Sequence, residues 1–405
     1  PKIQNLNQLL APKLDGFKIC NYETKYLTAP GDNYGSTLLG LTVYLVKDGK
    51  TKTLNLIAKL LPQSEFLIKM FQVPITFRKE AGIYSEIIPT MIQHQCEMKT
   101  SGENILQVFC EYFGSRTSLN EQSANIDSNA VIILENLQSK GFKVIDRRIK
   151  FDKQCTELIL INLAQFHAVP ISYKQKHPQK FEELISKYLE KINFSESFTD
   201  EVNKKLLLVF RDLLVKLVGD KLGEESYQLL LKCFENCCDK TLDKNNPYST
   251  IIHYDFWVNN IMLSFGDDGK PKNVKFIDFQ IIELDSLATD LMFFLLTSVD
   301  DATVEQDFDY YVKYYYENFR KYLSEMKCPL DEYTYEKFLA EIDQVAPYEF
   351  SHILMLLRPI HAIKGEIPEH KDMDENMFYS FDHLGEDFFN KVKSVVRMYK
   401  SRNWL

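Results

Sequence analysis

Ile251-Ile-His-Tyr-Asp-Phe-Trp-Val-Asn-Asn-Ile-Met-Leu-Ser-Phe-Gly-Asp-Asp-Gly-Lys-Pro-Lys-Asn-Val-Lys-Phe-Ile-Asp-Phe-Gln280 is the stretch whose reading decides the fold. Two short apolar runs, 260–265 and 273–278, flank Gly266-Asp-Asp-Gly269, which predicts two strands joined by a hairpin turn. Such a hairpin sets Asn260 beside Asp278. Asp255, in the loop just before the first strand, falls next to that pair. A carboxamide and a carboxylate converging on an open side make a hard, oxygen-rich site of the kind Mg2+ uses together with phosphates. The upstream carboxylate is then placed to accept a proton from an attacking hydroxyl.

The pattern resembles the catalytic loop of protein kinases, His-x-Asp-x-x-x-x-Asn followed by a metal-binding Asp-Phe. Here it is spelled His253, Asp255, Asn260 and Asp278-Phe279. Asp-x-x-x-x-Asn alone recurs by chance roughly once in a chain of this length, so the weight lies in its conjunction with His253, the hairpin and Asp278-Phe279. The competing reading is a surface hairpin whose Asp and Asn residues only form turns.

A chain of 405 residues is longer than one hydrophobic core usually spans, so two lobes are expected. Lys plus Arg at 48 against Asp plus Glu at 57 gives a net charge of −9. With no long basic run, nucleic acid and anionic membrane are poor partners. The eight cysteines lack the C-x-x-C pairs of zinc ribbons. Their one cluster, Cys233, Cys237 and Cys238, reads as buried apolar thiols. No apolar leader opens the chain and no run approaches a membrane span, so a reducing cytoplasmic setting is expected. The chain begins at Pro1 without an initiator methionine, which points to a processed start.

Upstream, an amphipathic segment with Ile3, Leu6, Leu9 and Leu10 caps the chain beyond it. A strand then leads into Gly31-Asp-Asn-Tyr-Gly-Ser36, and a second strand, Leu38 to Val46, leaves that turn. Glycine-containing strand-turn-strand backbones approach phosphates closely, which makes Asn33, Tyr34, Gly35, Ser36 and Thr37 candidates for nucleotide binding. Leu54-Asn-Leu-Ile-Ala-Lys59-Leu-Leu is a nearly continuous apolar strand holding one cation. A buried ammonium requires an anionic partner, and nucleotide phosphates supply one. Phe77 to Pro89 reads as a single helix, with Phe77, Tyr84, Ile87 and Ile88 apolar and Pro89 ending it. Glu80 on this helix is the expected partner of Lys59, and Glu86 is its rival. Residues 105–114 and 130–134 read as strands. Glu135, Asn136 and Leu137 leave the second of these where the chain crosses between lobes, and they are candidates for contacts to adenine.

Beyond Asp152, a predicted N-cap, the pattern turns helical. His167 reads as a satisfied core histidine. Residues 172–245 are polar helices without nameable chemistry. Asp290 reads as a helix cap, with anchoring of the 253–255 loop as the alternative. Phe308, Tyr311, Tyr315, Phe319 and Tyr322 form an aromatic stripe read as core, or else as one wall of an apolar pocket.

The chain resembles the ecdysteroid kinase-like family, in the aminoglycoside and choline phosphotransferase branch of the protein-kinase-like fold. The likeness rests on Gly31-Asp-Asn-Tyr-Gly-Ser, Ile57-Ala-Lys59-Leu-Leu-Pro62, Phe77-x-x-Glu80-x-x-x-Tyr84 with Pro89, and Leu134-Glu-Asn-Leu137 with Lys140-Gly-Phe142. It continues through Leu163-Ala-x-Phe-His-Ala168, His253-x-Asp255-x-Trp257-x-Asn-Asn260, Phe276-Ile-Asp-Phe-Gln280 and Asp290-Leu291. It implies an α+β, two-lobe fold: a small antiparallel-sheet N-lobe at 1–134, a hinge at 135–140, and a larger, mainly helical C-lobe at 141–405. It further implies ATP-dependent phosphorylation of a hydroxyl on a small, apolar, steroid-like alcohol. Lys59 would bind the phosphates, Glu80 would pair with it, Asp255 would be the base, and Asn260 and Asp278 would hold Mg2+. Tyr254 departs from the family, which usually has glycine there. A catalytically silent nucleotide- or steroid-binding protein and a choline- or aminoglycoside-type kinase are the alternatives. A protein kinase is disfavoured, because the short connection from Asp278 to the Leu291 helix leaves little room for an activation segment.

Overall fold

The computed structural model describes residues 1–27, 35–98, 100, 102, 105–120, 122–123, 125–192, 199–236, 245–363 and 379–405. Strands β1 (Lys18–Tyr26), β2 (Thr37–Lys47), β3 (Lys50–Leu60), β4 (Tyr112–Arg116) and β5 (Val131–Glu135) form one antiparallel sheet in the order β1-β2-β3-β5-β4. Side chains alternate across a strand. Leu39, Leu41, Val43, Leu45, Leu56 and Ala58 therefore share one face, where helix α1 (Leu6–Leu10) lays Leu6 and Leu10 among them. The predicted N-terminal cap is thus a lid on the outer face of the sheet. Lys59, one residue from Ala58, is carried to the opposite face.

The helix predicted to stop at Pro89 does not stop. Helix α3 (Val73–Gly82) passes through a π turn, Ile83–Ile87, directly into α4 (Ile88–Glu97). A proline in a helix interior removes a donor and clashes with the preceding turn. Here the π turn widens the backbone ahead of it, and Pro89 takes the first turn of α4, where its missing N–H costs nothing. The predicted strand at 105–114 also shrinks, to β4. Residues 106–109 are drawn to another sheet instead: Phe276 N–H donates to Val108 O at 2.7 Å, and Lys275 Nζ donates to the carbonyls of Gln107 and Phe109 at 2.6 and 2.8 Å.

After β5 the chain makes a 3₁₀ turn, Leu137–Lys140, and the short strand β6 (Lys143–Val144) before becoming helical. Asp152 caps α5 (Lys153–Lys176) by accepting from Cys155 N–H at 2.9 Å, as predicted. Helices α6 (Pro178–Tyr188), α7 (Asp200–Val218) and α8 (Asp220–Asn236) follow. Cys233 is buried; Cys237 and Cys238 lie outside the described residues. Strand β7 (Ser249–Ile252) pairs with β10 (Glu283–Ser286), and between them the predicted hairpin forms as β8 (Ile261–Phe265) and β9 (Pro271–Phe276). Helices α9 (Leu287–Ser298), α10 (Asp301–Glu325), α11 (Tyr335–His361) and α12 (Glu386–Ser401) complete the larger lobe. The whole aromatic stripe is buried, Tyr315 on α10 bonding His167 on α5, so its role is core. Each such ring contributes about 1.5–3 kcal/mol of burial.

Candidate active site

Three elements meet at one ammonium. Lys59 from β3 pairs with Glu80 Oε2 from α3 at 2.6 Å and with Asp278 Oδ1, just past β9, at 2.6 Å. Lys59 and Glu80 are buried, 4% and 1% exposed, while Asp278 keeps a partly exposed side. Burial alone would lower the Lys59 pKa, but Asp278 and then Glu80 outweigh it, and the group is held above its ordinary value. Burial pushes the Glu80 carboxyl up, with Lys59 offsetting part of the rise. The rival Glu86 faces α6 instead, pairing with Lys187 Nζ at 2.6 Å and accepting from Tyr188 Oη. A side chain at Gly82 would place Cβ 2.1 Å from the Tyr188 ring, so glycine lets α6 press against the helix that carries Glu80.

Asn260 Nδ2 donates to Asp255 Oδ2 at 2.7 Å and to Asp255 O at 2.9 Å. That orientation turns the Asn260 carbonyl oxygen away from Asp255, while Asp278 is engaged through Oδ1 alone among the described residues. An amide oxygen and a carboxylate oxygen are left, a donor set that fits Mg2+ with substrate phosphates and water completing its shell. Asp255 Oδ1 is buried with no hydrogen-bond partner among the described residues, although Trp257 lies close by. Burial, with Asp278 adding to it, raises the Asp255 pKa.

The loop bearing Asp255 is held from behind by Asp290, which is fully buried on α9. Its Oδ2 accepts from His253 N–H at 2.7 Å and its Oδ1 from Tyr254 N–H at 2.8 Å. Ser286 caps α9, so Asp290 is an anchor and not the cap it was expected to be. His167 Nε2 lies 3.1 Å from Asp290 Oδ2, and Nδ1 lies 2.7 Å from Tyr315 Oη. A carboxylate only accepts, so Nε2 carries the proton and Nδ1 receives the phenol. Burial would raise the Asp290 pKa; the His167 bond outweighs it and holds the carboxyl below its ordinary value. His253 Nε2 donates to Ile277 O at 2.9 Å, tying the loop to the end of the hairpin.

Of the phosphate-loop candidates, Asn33 and Tyr34 lie outside the described residues. Gly35 closes onto Gln280: a Cβ there would stand 2.5 Å from Gln280 Oε1, which brings the exit of that loop over Asp278-Phe279-Gln280. Ser36 is buried, and Thr37 opens β2 opposite Leu60. At the end of β5, Glu135 and Asn136 donate their N–H groups to Glu111 O and Asn55 O at 2.9 and 3.1 Å. Leu137 N–H, at the start of the 3₁₀ turn, has no acceptor among the described residues.

Residues 30–328 match the sequence pattern of the ecdysteroid kinase-like family. The chain belongs to that family. No curated protein matches it. Among solved structures, this ecdysteroid kinase-like chain is similar to a Plasmodium vivax ethanolamine kinase, with 13% identity, 95% of this chain and 84% of that one covered, and a TM-score of 0.42. A spectinomycin phosphotransferase in complex with ADP and spectinomycin gives 12%, 100%, 99% and 0.42. An aminoglycoside 2'-phosphotransferase in its GDP complex gives 11%, 99%, 98% and 0.41.

Two features of this ecdysteroid kinase-like chain escaped the sequence. Lys79, beside Glu80, is 1% exposed and donates to Ile282 O at 3.0 Å, with Glu283 at 3.7 Å; burial pushes it down to about 8. It ties α3 to the segment after Asp278. Tyr254 has φ +66°, the left-handed region that glycine fills without strain. Its ring stacks on His352 of α11 at 4.7 Å, and His352 stacks on Phe293 at 4.2 Å. The family's usual glycine has a conformational reason, and the tyrosine here is held by that stack.

Proposed function

We propose that the chain is an ATP-dependent phosphotransferase that moves the γ-phosphoryl group to a hydroxyl of a small apolar alcohol, an ecdysteroid-like steroid being the favoured acceptor. The observation that carries this reading is the convergence of Lys59, Glu80 and Asp278 on one side and Asp255 with Asn260 on the other, drawn from four separate segments. Phosphoryl transfer asks a protein for positioning and charge neutralisation above all, and this constellation supplies both.

In this reading residues 1–134 form the nucleotide-binding lobe, 135–140 the hinge, and 141–405 the lobe that receives the acceptor. Adenine meets the hinge through Leu137 N–H, and the phosphates lie under residues 33–37 and against Lys59. Glu80 keeps the Lys59 ammonium from swinging away. Asn260 and Asp278 would hold Mg2+, which when bound neutralises phosphate charge. Asp255 Oδ1 accepts the proton of the acceptor hydroxyl as the new O–P bond forms, the bond from the γ-phosphorus to its bridging oxygen breaks, and ADP leaves. Asn260 fixes the other oxygen of Asp255, and Asp290 fixes the loop.

The test is ATP consumption with Mg2+ against steroid, choline, aminoglycoside and phenolic alcohols, with Asp255→Asn alongside. One acceptor class is expected to turn over, with kcat falling about 10²–10⁴-fold in the variant. ATP binding without turnover on the whole panel, or a variant equal to wild type, would replace this reading with that of a silent nucleotide-binding protein.

A further inference from the structure

Away from the cleft, α4 ends against the junction of α5 and α6, and three side chains with metal-ligand chemistry meet there. His94 and Glu97 stand three residues apart on α4 and so share a face. His177 is the residue between α5 and α6. One ligand atom from each lies within 4.8 Å of the other two. His94 is 1% exposed, and its Nε2 is engaged with Ser172 Oγ at 2.9 Å. Its Nδ1 is buried and has no hydrogen-bond partner among the described residues. Leaving such an atom unsatisfied costs about 1–3 kcal/mol, and an apolar side chain at this position would avoid that cost. The Glu97 carboxylate accepts from Gln93 Nε2 through Oε1 at 2.8 Å, which leaves its second oxygen. Among the described residues, the His177 ring makes edge and tilted contacts with His94 and Tyr173.

We propose that His94, Glu97 and His177 bind one zinc ion, with water as the fourth ligand. Two imidazoles and a carboxylate with one open position are a zinc donor set, whereas Mg2+ is served by oxygen ligands. Ligands of tetrahedral zinc with bonds of about 2.1 Å stand about 3.4 Å apart, so no pair here has to close by more than roughly 1.4 Å. Glu97 is exposed and His177 half-buried, which leaves both side chains free to make that movement. Ser172 on the far nitrogen orients the His94 ring, the outer contact that metal-bound histidines use. The adjacent cation, Lys176, is turned toward Lys327 O at 3.4 Å. Because α4 runs unbroken through the π turn into α3, zinc at this point fixes the helix that carries Glu80 onto α5 and α6.

The experiment uses the full chain, stripped with chelator and then dialysed against Zn2+ in the presence of excess Mg2+. Wild type is expected to retain one equivalent of zinc and to unfold at higher temperature with it. Glu97→Gln and His177→Ala, both outside the core, are expected to weaken zinc binding by at least about ten-fold while the metal-free proteins unfold with wild type. Co2+ in place of Zn2+ should give the visible absorption of a tetrahedral ion in wild type only. Wild type that retains no zinc, or variants that retain it equally, would overturn the proposal. Neither result bears on phosphoryl transfer.

Discussion

Asp290→Asn isolates what holds the candidate catalytic loop in place. The carboxylate accepts three hydrogen bonds, at 2.7 Å from His253 N–H, 2.8 Å from Tyr254 N–H and 3.1 Å from His167 Nε2. An amide has one oxygen. Placed on the side shared by His253 and His167, it leaves the Tyr254 N–H facing an NH2 group in a site with no access to water. A hydrogen bond to a charged group contributes about 1.5–3 kcal/mol, and an orphaned buried donor costs about 1–3 kcal/mol, so the substitution should cost about 3 kcal/mol. Denaturant unfolding of both proteins at neutral pH measures this as a shift in midpoint at unchanged slope, and ATP turnover should fall with it. The effect has a definite pH dependence. The Asp290 pKa in the folded chain lies below its unfolded value of about 3.9. Its stabilisation is therefore complete above that value and is lost as pH falls through the folded one. The gap between the two proteins should narrow in acid. Equal midpoints at neutral pH, or a gap of the same size in acid, would refute the anchoring role.

Lys59→Met removes the charge between Glu80 and Asp278 and leaves two carboxylates without their cation; a loss of about 3–5 kcal/mol is expected, with ATP affinity by calorimetry falling sharply. Unchanged ATP affinity would count against Lys59 as the phosphate ligand. Asp255 acts only when ionised, and its raised pKa moves half-activity upward, so the acid limb of kcat should lie above the ordinary carboxylate value of about 3.9. A limb at or below that value would sink the assignment of Asp255 as base.

The hairpin was legible because its signals are local: two apolar runs, a Gly-Asp-Asp-Gly turn and polar groups at fixed offsets. Lys59 was legible because a lone cation in an apolar strand states its own requirement for an anion, and Glu80 followed from one helix. Asp290 was misread because capping and anchoring need the same residue type at the same place. Only the tertiary approach of α9 to residues 253 and 254 separates them. The helix through Pro89 was cut short because a π turn has no sequence signature beside the rule that proline breaks helices. The 105–114 run was lengthened for a related reason: β propensity does not say which sheet a segment will meet, and residues 106–109 meet β9 instead of β5. His352 and the His94 cluster depend on segments far apart in sequence, which no local pattern brings together.

The geometry makes the state of the cleft a property of one nitrogen. Glu80 belongs to the lobe built on the five-stranded sheet, and Asp278 to the hairpin of the helical lobe; both reach Lys59 at 2.6 Å. Any movement that separates the lobes must take one carboxylate away from a buried ammonium, and a buried charge that loses its partner is strongly unfavourable. The same helix is tied three more times to the larger lobe: by Lys79 at Ile282 O, by Glu86 at Lys187 and Tyr188, and by His94 at Ser172. These contacts fasten α3 and α4 to the helical lobe in addition to the two ion pairs at Lys59.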